Sequence, residues 1–113
     1  MPTSDAVRGL VQRLLELGDF TGREQLLAQV AGVEYVEGPV TMMDLRVVGQ
    51  YLSAIGIASP TPSTPTVVGE AGEAIGELLL WLDAQGYINC LEYAWFTDEI
   101  PTILPTPDRI RAR

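Results

Sequence analysis

AIGELLLWLDAQGYINCLEYAWF, residues 74–96, is the stretch that decides the fold. Its first part is apolar without a break from Leu78 to Leu82. In its second part every second residue belongs to one set, which alternates with the residues between them: Tyr87, Asn89, Leu91, Tyr93 and Trp95. Ala84–Gln85–Gly86 between the two parts is typical of a tight turn. Since a period of two residues is that of a β-strand, the stretch predicts an antiparallel β-hairpin.

The first arm of this hairpin also permits a helix. Three glutamates and three apolar residues occupy two separate faces at helical spacing: Glu70, Glu73 and Glu77, and Ala74, Leu78 and Leu82. Glycines at positions 69, 72 and 76 argue against a helix, because each costs roughly 1 kcal/mol in a helix interior. Strand is therefore the favoured prediction for residues 69–83, with helix as the alternative.

Upstream, the pattern predicts two helices. Residues 4–17 carry apolar side chains at helical spacing, with Thr3 or Ser4 available as the N-cap. A T-x-x-E capping box beginning at Thr21 predicts a second helix that ends at Gly32. The two helices are expected to form a helical hairpin.

The remaining segments complete an α+β prediction. Residues 41–48 alternate like a half-buried strand, whereas the Pro, Ser and Thr residues of 59–66 predict an exposed loop. Prolines at 101, 105 and 107 predict an irregular tail over 100–113. The chain of 113 residues is the length of one domain. We expect a single α+β domain over residues 1–113, with an N-terminal helical hairpin packed on an antiparallel β-meander of four or five strands.

The charge is strongly negative. Fifteen acidic residues face seven basic ones, all of them arginine, and the sequence has no lysine or histidine. Three arginines lie in the last five residues, so residues 1–108 hold four arginines against fifteen acids, a net charge of −11. Such a field repels phosphate backbones and anionic membranes, which argues against nucleic-acid and membrane binding. With one cysteine, no spanning apolar run and no basic N-terminal region, the sequence predicts a soluble cytoplasmic protein.

The residue types leave little room for catalysis. Without histidine and lysine, Ser–His pairs, Schiff bases and imidazole metal sites are excluded, and no cofactor or metal is predicted. Cys90 lacks an activating histidine and is interpreted as a structural cysteine. Asp98 and Glu99 follow an aromatic strand and could act as a general acid or base, but paired surface acids are common. We predict that the chain is not an enzyme.

The aromatic residues have two interpretations. Tyr93 and Trp95 share one strand face by alternation, and Trp81 lies on the neighbouring strand. Cross-strand packing in the core is the ordinary interpretation. The other is an exposed interface, since Trp and Tyr serve as binding anchors. On the second interpretation the candidate partner-binding residues are Tyr93, Trp95, Asp98, Glu99, Trp81 and Glu92.

Several segments carry a family resemblance. They are Gly76–Leu82, Leu91–Glu99 with Pro101–Thr102, and upstream Gly22–Leu26 and Gly38–Met42. Together, over about half of the chain, they resemble small, mostly uncharacterised bacterial proteins of the immunity type that accompany polymorphic or contact-dependent toxins. The resemblance implies a protein-binding role. It also favours a strand, and not a helix, for residues 74–83.

The leading functional hypothesis is a small acidic interaction module, an immunity-like inhibitor of a basic partner such as a nuclease-type toxin. Its carboxylates would meet the basic groove that the partner uses for phosphate. One alternative is a cystatin-like or nuclear-transport-factor-like domain with a small-molecule pocket, in which Asp44 or Glu92 could process the ligand. Another is a structural homodimer with its seam along Leu78–Leu82 and Trp81.

Overall fold

The computed structural model describes residues 2–113, and in it the chain forms an antiparallel sheet with helices on one face. The helices and strands, in chain order, are α1 (Ser4–Leu17), α2 (Arg23–Gln29), β1 (Val33–Glu37), β2 (Met42–Val47), β3 (Thr66–Val68), β4 (Ala74–Leu82), β5 (Ile88–Trp95) and β6 (Ile110–Arg111). The sheet order is β1-β2-β5-β4-β3-β6, and every neighbouring pair is antiparallel. The α+β class and the antiparallel sheet are thus confirmed.

The central hairpin is β4–β5, as its sequence predicts. Leu78, Leu80 and Leu82 are buried, whereas Leu79 and Trp81 between them are half-buried on the opposite face. This alternation is that of a strand covered on one side only. The alternative helix is wrong, because residues 69–73 form a turn in which the Gly69 N–H donates to the Glu73 carbonyl at 2.8 Å.

Three details of the predicted sheet are wrong. The described residues form six strands, not four or five. They do not follow one another as a simple meander, because β2 pairs with β5 and the chain crosses to the far side of the hairpin before β3. The tail is not irregular throughout, since Ile110 and Arg111 pair with β3. The last proline is Pro107, so both residues keep the N–H groups that a sheet needs.

The segment 59–66 is not the exposed loop that its composition predicts. Thr61 is 2% exposed and Ser63 is 8% exposed. The segment lies beside β4, where the Thr61 N–H donates to the Leu80 carbonyl at 2.9 Å and the Pro65 carbonyl accepts from the Leu78 N–H at 3.0 Å. Prolines at 60 and 62 flank the donating Thr61, so the missing N–H groups fall on positions that do not face β4.

The helices differ in how they begin. The Thr3 hydroxyl caps α1 by accepting from the Ala6 N–H at 3.1 Å, as predicted. The capping box at Thr21 is wrong, because the N-cap of α2 is Gly22 at φ +95° with no side-chain bond. Ile57 packs against Gly22 so closely that an added Cβ would lie 2.1 Å from the Ile57 Cδ1. None of the helices in residues 2–113 is long and apolar enough to cross a membrane.

The core lies between α1 and the sheet. The apolar face of α1 is fully buried and belongs to the same core cluster as the leucines of β4 and β5. The helix crosses the sheet from one edge to the other: Arg8 Nη1 donates to the Val33 carbonyl at 2.7 Å, and Arg13 Nη2 donates to the Ile110 carbonyl at 3.4 Å. These contacts place α1 across β1 on one side and β6 on the other.

Candidate functional site

The topology gathers several turns at one end of the sheet. The residues after β5 lie beside the start of β4, because the Phe96 N–H donates to the Ile75 carbonyl at 2.9 Å. The β3–β4 turn, residues 69–73, directly precedes that start. We call this region, residues 69–73 with residues 96–99, the acidic end.

The acidic end carries exposed carboxylates that lack cationic partners. They are Glu70, Glu73, Asp98 and Glu99, and each of these residues is exposed. Within residues 2–113 none of them lies within ion-pair distance of an arginine. Arg109 borders the same hollow as Glu70, but its guanidinium faces Asp108 at 4.0 Å. The acidic end therefore presents negative charge that the chain itself does not neutralise.

An open groove of about 640 Å³ adjoins these carboxylates. Its apolar lining includes Ile75, Tyr93, Ile100 and Ile103, and Asp98 and Glu99 belong to the same lining. Apolar surface next to unpaired charge is the composition of a protein-binding surface, whose apolar centre is bordered by polar groups. The groove lies at this end of the sheet because β4 and β5 are adjacent and antiparallel, so the start of β4 lies beside the end of β5.

The structure brings three of the predicted site residues together in this groove: Tyr93, Asp98 and Glu99. Tyr93 is 4% exposed. Its ring lies over Gly76, where an added Cβ would come within 2.4 Å of the Tyr93 Cε1. Trp95 ends β5 opposite Gly76 and is 38% exposed. Tyr93 therefore forms part of the groove floor, while Trp95 offers more surface to solvent.

The other two predicted residues, Trp81 and Glu92, lie elsewhere. They lie on the face of the sheet opposite the helices, which we call the open face. There the Trp81 indole Nε1–H donates to the Glu92 carboxylate at 2.9 Å. Trp81 is opposite Cys90 and Tyr93 is opposite Leu78 in the β4–β5 pairing. Because neighbouring residues of a strand point to opposite faces, Trp81 and Tyr93 do not share a surface. The six candidates are thus divided between two faces.

The open face also holds the cysteine. Cys90 is half-buried, with its Sγ 3.4 Å from the Met42 Sδ. Burial, with the nearby Asp44 and Glu92 carboxylates, raises the pKa of the Cys90 thiol to about 11. A thiol that stays protonated is a weak nucleophile. The arrangement suits a structural cysteine and offers no activation.

The small-molecule alternative requires a pocket between sheet and helices. That space is filled by fully buried side chains, among them Leu10 and Leu14 of α1 and Leu80 and Leu91 of the sheet. Asp44 and Glu92, the carboxylates of that alternative, lie on the open face in register positions next to Cys90 and Met42. They do not line the large groove.

Three exposed apolar residues near the acidic end are not among the candidates predicted from the sequence. Phe96 is 60% exposed, Ile100 is 62% exposed and Ile103 is 80% exposed. Ile100 and Ile103 lie in a proline-rich segment, where no core position is expected. That mismatch between residue type and segment is the signal that the sequence offers, since a soluble monomer rarely exposes a large contiguous apolar patch.

Comparison with known proteins adds no relative. No protein-family model matches the sequence, and no curated protein or solved structure is significantly similar to it.

Proposed function

We propose that this chain is a protein-binding module that uses its acidic end, with an immunity-like inhibitory role against a basic partner. One observation carries the proposal: the groove of about 640 Å³ joins an apolar lining to Asp98 and Glu99. Neither carboxylate has an ion-pair partner in the described residues 2–113. A partner with arginine or lysine beside an apolar surface would supply cations for these carboxylates and would cover the apolar lining of the groove.

The charges and the apolar residues have different tasks in this proposal. The net charge of −8 and the unpaired carboxylates attract a cationic partner, and such steering raises association rates by about 10- to 1,000-fold at low salt. Phe96, Ile100 and Ile103 lose their exposed area on binding, which slows dissociation. A nuclease-type partner fits, because the surface that binds phosphate is cationic.

The test compares two charge-reversed variants of the tagged full chain. Asp98→Lys with Glu99→Lys reverses the groove carboxylates. Glu16→Lys with Asp19→Lys is the matched control, because these acids are also exposed, make no ion pair among the described residues and change the net charge equally. Both are used with the wild type to capture proteins from the native lysate at about 0.05 M and about 0.5 M salt, since screening strengthens over that range.

We expect a basic protein that wild type and control retain at low salt and lose at high salt. The groove variant should bind it at least about tenfold more weakly, a difference of about 1.4 kcal/mol. Equal capture by the groove variant and the control would overturn the proposal. So would capture of the partner that does not depend on salt.

A further inference from the structure

The segment 97–106, which we call the strap, is joined to the body of the protein by hydrogen bonds only near its ends, and Leu104 within it packs against the core. Before it, the Phe96 N–H is bonded to the Ile75 carbonyl. After it, Ile110 and Arg111 pair with β3. Within the described chain, no hydrogen bond joins residues 100–105 to any other segment, and the Thr97 hydroxyl donates only to the Glu99 carbonyl. The backbone groups of residues 100–105 are therefore available to a partner.

The strap presents its isoleucines to solvent. Ile103 lies at a bend and is 80% exposed, and Ile100 is 62% exposed. By contrast, Leu104 packs against the core. Ile103 borders the groove of about 640 Å³ and two smaller hollows of about 290 and 280 Å³. It is thus a ridge between hollows, a convex feature made of an aliphatic side chain.

The prolines restrain the backbone on both sides of this ridge. Pro101, Pro105 and Pro107 each fix their own φ. The residues before them, at 100, 104 and 106, are restricted to extended backbone, and Thr106 has φ −89° and ψ 156°. Only residues 102 and 103 in the run 100–107 lack such a restraint. A segment held extended before binding loses little conformational entropy when it binds.

We infer that the strap binds by insertion: Ile103 and Ile100 enter an apolar cleft of a protein partner whose rim carries arginine or lysine for Asp98 and Glu99. The inference rests on the proposed function and names the shape of the partner's surface. The partner provides a concave site for an extended chain, and its polar groups bond the backbone of residues 100–105. A partner that instead placed its own arm in the open groove would contact Ile103 from the groove side alone and would leave the backbone of residues 100–105 unbonded.

The test is site-specific photo-cross-linking with the full chain. Benzoylphenylalanine replaces Ile103 in one protein and Ile55 in the other, and both are irradiated in native lysate at low salt. Ile55 is a matched control because it is 77% exposed and lies at the other end of the β4–β5 hairpin, where the Ala54 N–H donates to the Gly86 carbonyl at 2.9 Å. The same partner is then captured with Ile103→Ser and Ile55→Ser, whose melting temperatures confirm that both are folded.

We expect position 103 to cross-link one basic protein and position 55 to leave it unlabelled. The cross-linked peptide of that protein should contain apolar residues with arginine or lysine nearby. Ile103→Ser should weaken capture by at least about tenfold, as truncation of a central anchor does, and Ile55→Ser should not. If reversal of Asp98 and Glu99 abolishes capture while Ile103→Ser leaves it unchanged, the insertion is wrong and the proposed function stands. If neither change affects capture, both are wrong.

Discussion

At the scale of single residues, the surroundings of Cys90 on the open face determine how readily its thiol ionises and reacts. Burial of the thiol, together with the nearby Asp44 and Glu92 carboxylates, raises its pKa to about 11 from the ordinary 9.0. At pH 8 the thiolate fraction of the folded protein should therefore be about a hundredth of that of an ordinary thiol, and alkylation by iodoacetamide should slow about as much. The rate is measured on the folded protein and on the protein unfolded in urea.

The cause of this shift can be separated by substitution. Asp44→Asn and Glu92→Gln each remove one of the charges that raise the pKa of Cys90, so each should accelerate alkylation while the larger effect of burial remains. The sign for stability follows from proton linkage: above pH 9 the unfolded thiol loses its proton first, so stability falls as the pH rises toward 11. Equal alkylation rates in folded and unfolded protein would contradict the assignment.

The first residues of α1 and α2 differ in how well they can be predicted from the sequence. Thr3 caps α1 through contacts within four residues of chain, so its role is local and could be predicted. The capping box at Thr21 is equally good as a motif, yet α2 begins after Gly22 in a left-handed conformation. Ile57, more than thirty residues away, packs against Gly22, and no local pattern contains that contact.

At the scale of elements, the segment 59–65 offers two substitutions of opposite sign. The Ser63 hydroxyl donates to the Leu14 carbonyl of α1 at 2.8 Å, and it is buried. Ser63→Ala should lower the free energy of unfolding by about 1–3 kcal/mol, because a buried carbonyl at a helix end loses its donor. The Thr61 hydroxyl is buried with no partner among the described residues. Thr61→Val keeps the shape and should raise stability by about 1 kcal/mol.

Urea unfolding of both variants checks this pair. Ser53→Ala is a suitable control, because no hydrogen bond of its hydroxyl is found in the part of the chain described by the structure. It should change stability by less than about 0.5 kcal/mol. A stabilised Ser63→Ala or a destabilised Thr61→Val would show that the segment does not pack against α1 and β4 in this way.

The same segment explains why one element could be predicted and another could not. The β4–β5 hairpin joins strands that are adjacent in sequence, and its alternation is visible in residues 74–96 alone. In 59–66 the composition suggests solvent, and the alternation of proline with donating residues has meaning only beside β4. Likewise, Tyr93, Asp98 and Glu99 could be grouped because they are close in sequence. Their placement away from Trp81 depends on strand register.

At the scale of the whole molecule, side chains of α1 bond backbone groups on both edge strands of the sheet. At the β1 edge Arg8 bonds the Val33 carbonyl, and the Ser4 hydroxyl accepts from the Tyr35 N–H at 3.0 Å. At the β6 edge Arg13 reaches the Ile110 carbonyl. Edge strands whose polar groups are already bonded are poor templates for a second chain, so association by strand pairing is disfavoured.

The open face is the remaining surface on which two copies could stack, with Leu79 and Trp81 as the apolar residues of a homodimer seam. Stacking would also oppose carboxylates of the two copies, since Asp44 and Glu92 lie on that face, and each chain has a net charge of −8. Glu77 also lies on that face but is paired with Arg113 at 3.7 Å. We therefore expect sedimentation equilibrium to give the mass of one chain, 12.3 kDa, over about a hundredfold range of concentration, because like charges brought together cost several kcal/mol.

Asp44→Asn with Glu92→Gln tests whether charge repulsion is the cause. If repulsion alone keeps the copies apart, this variant should associate where the wild type does not. A wild-type mass that doubles with concentration would contradict the expectation and favour the homodimer.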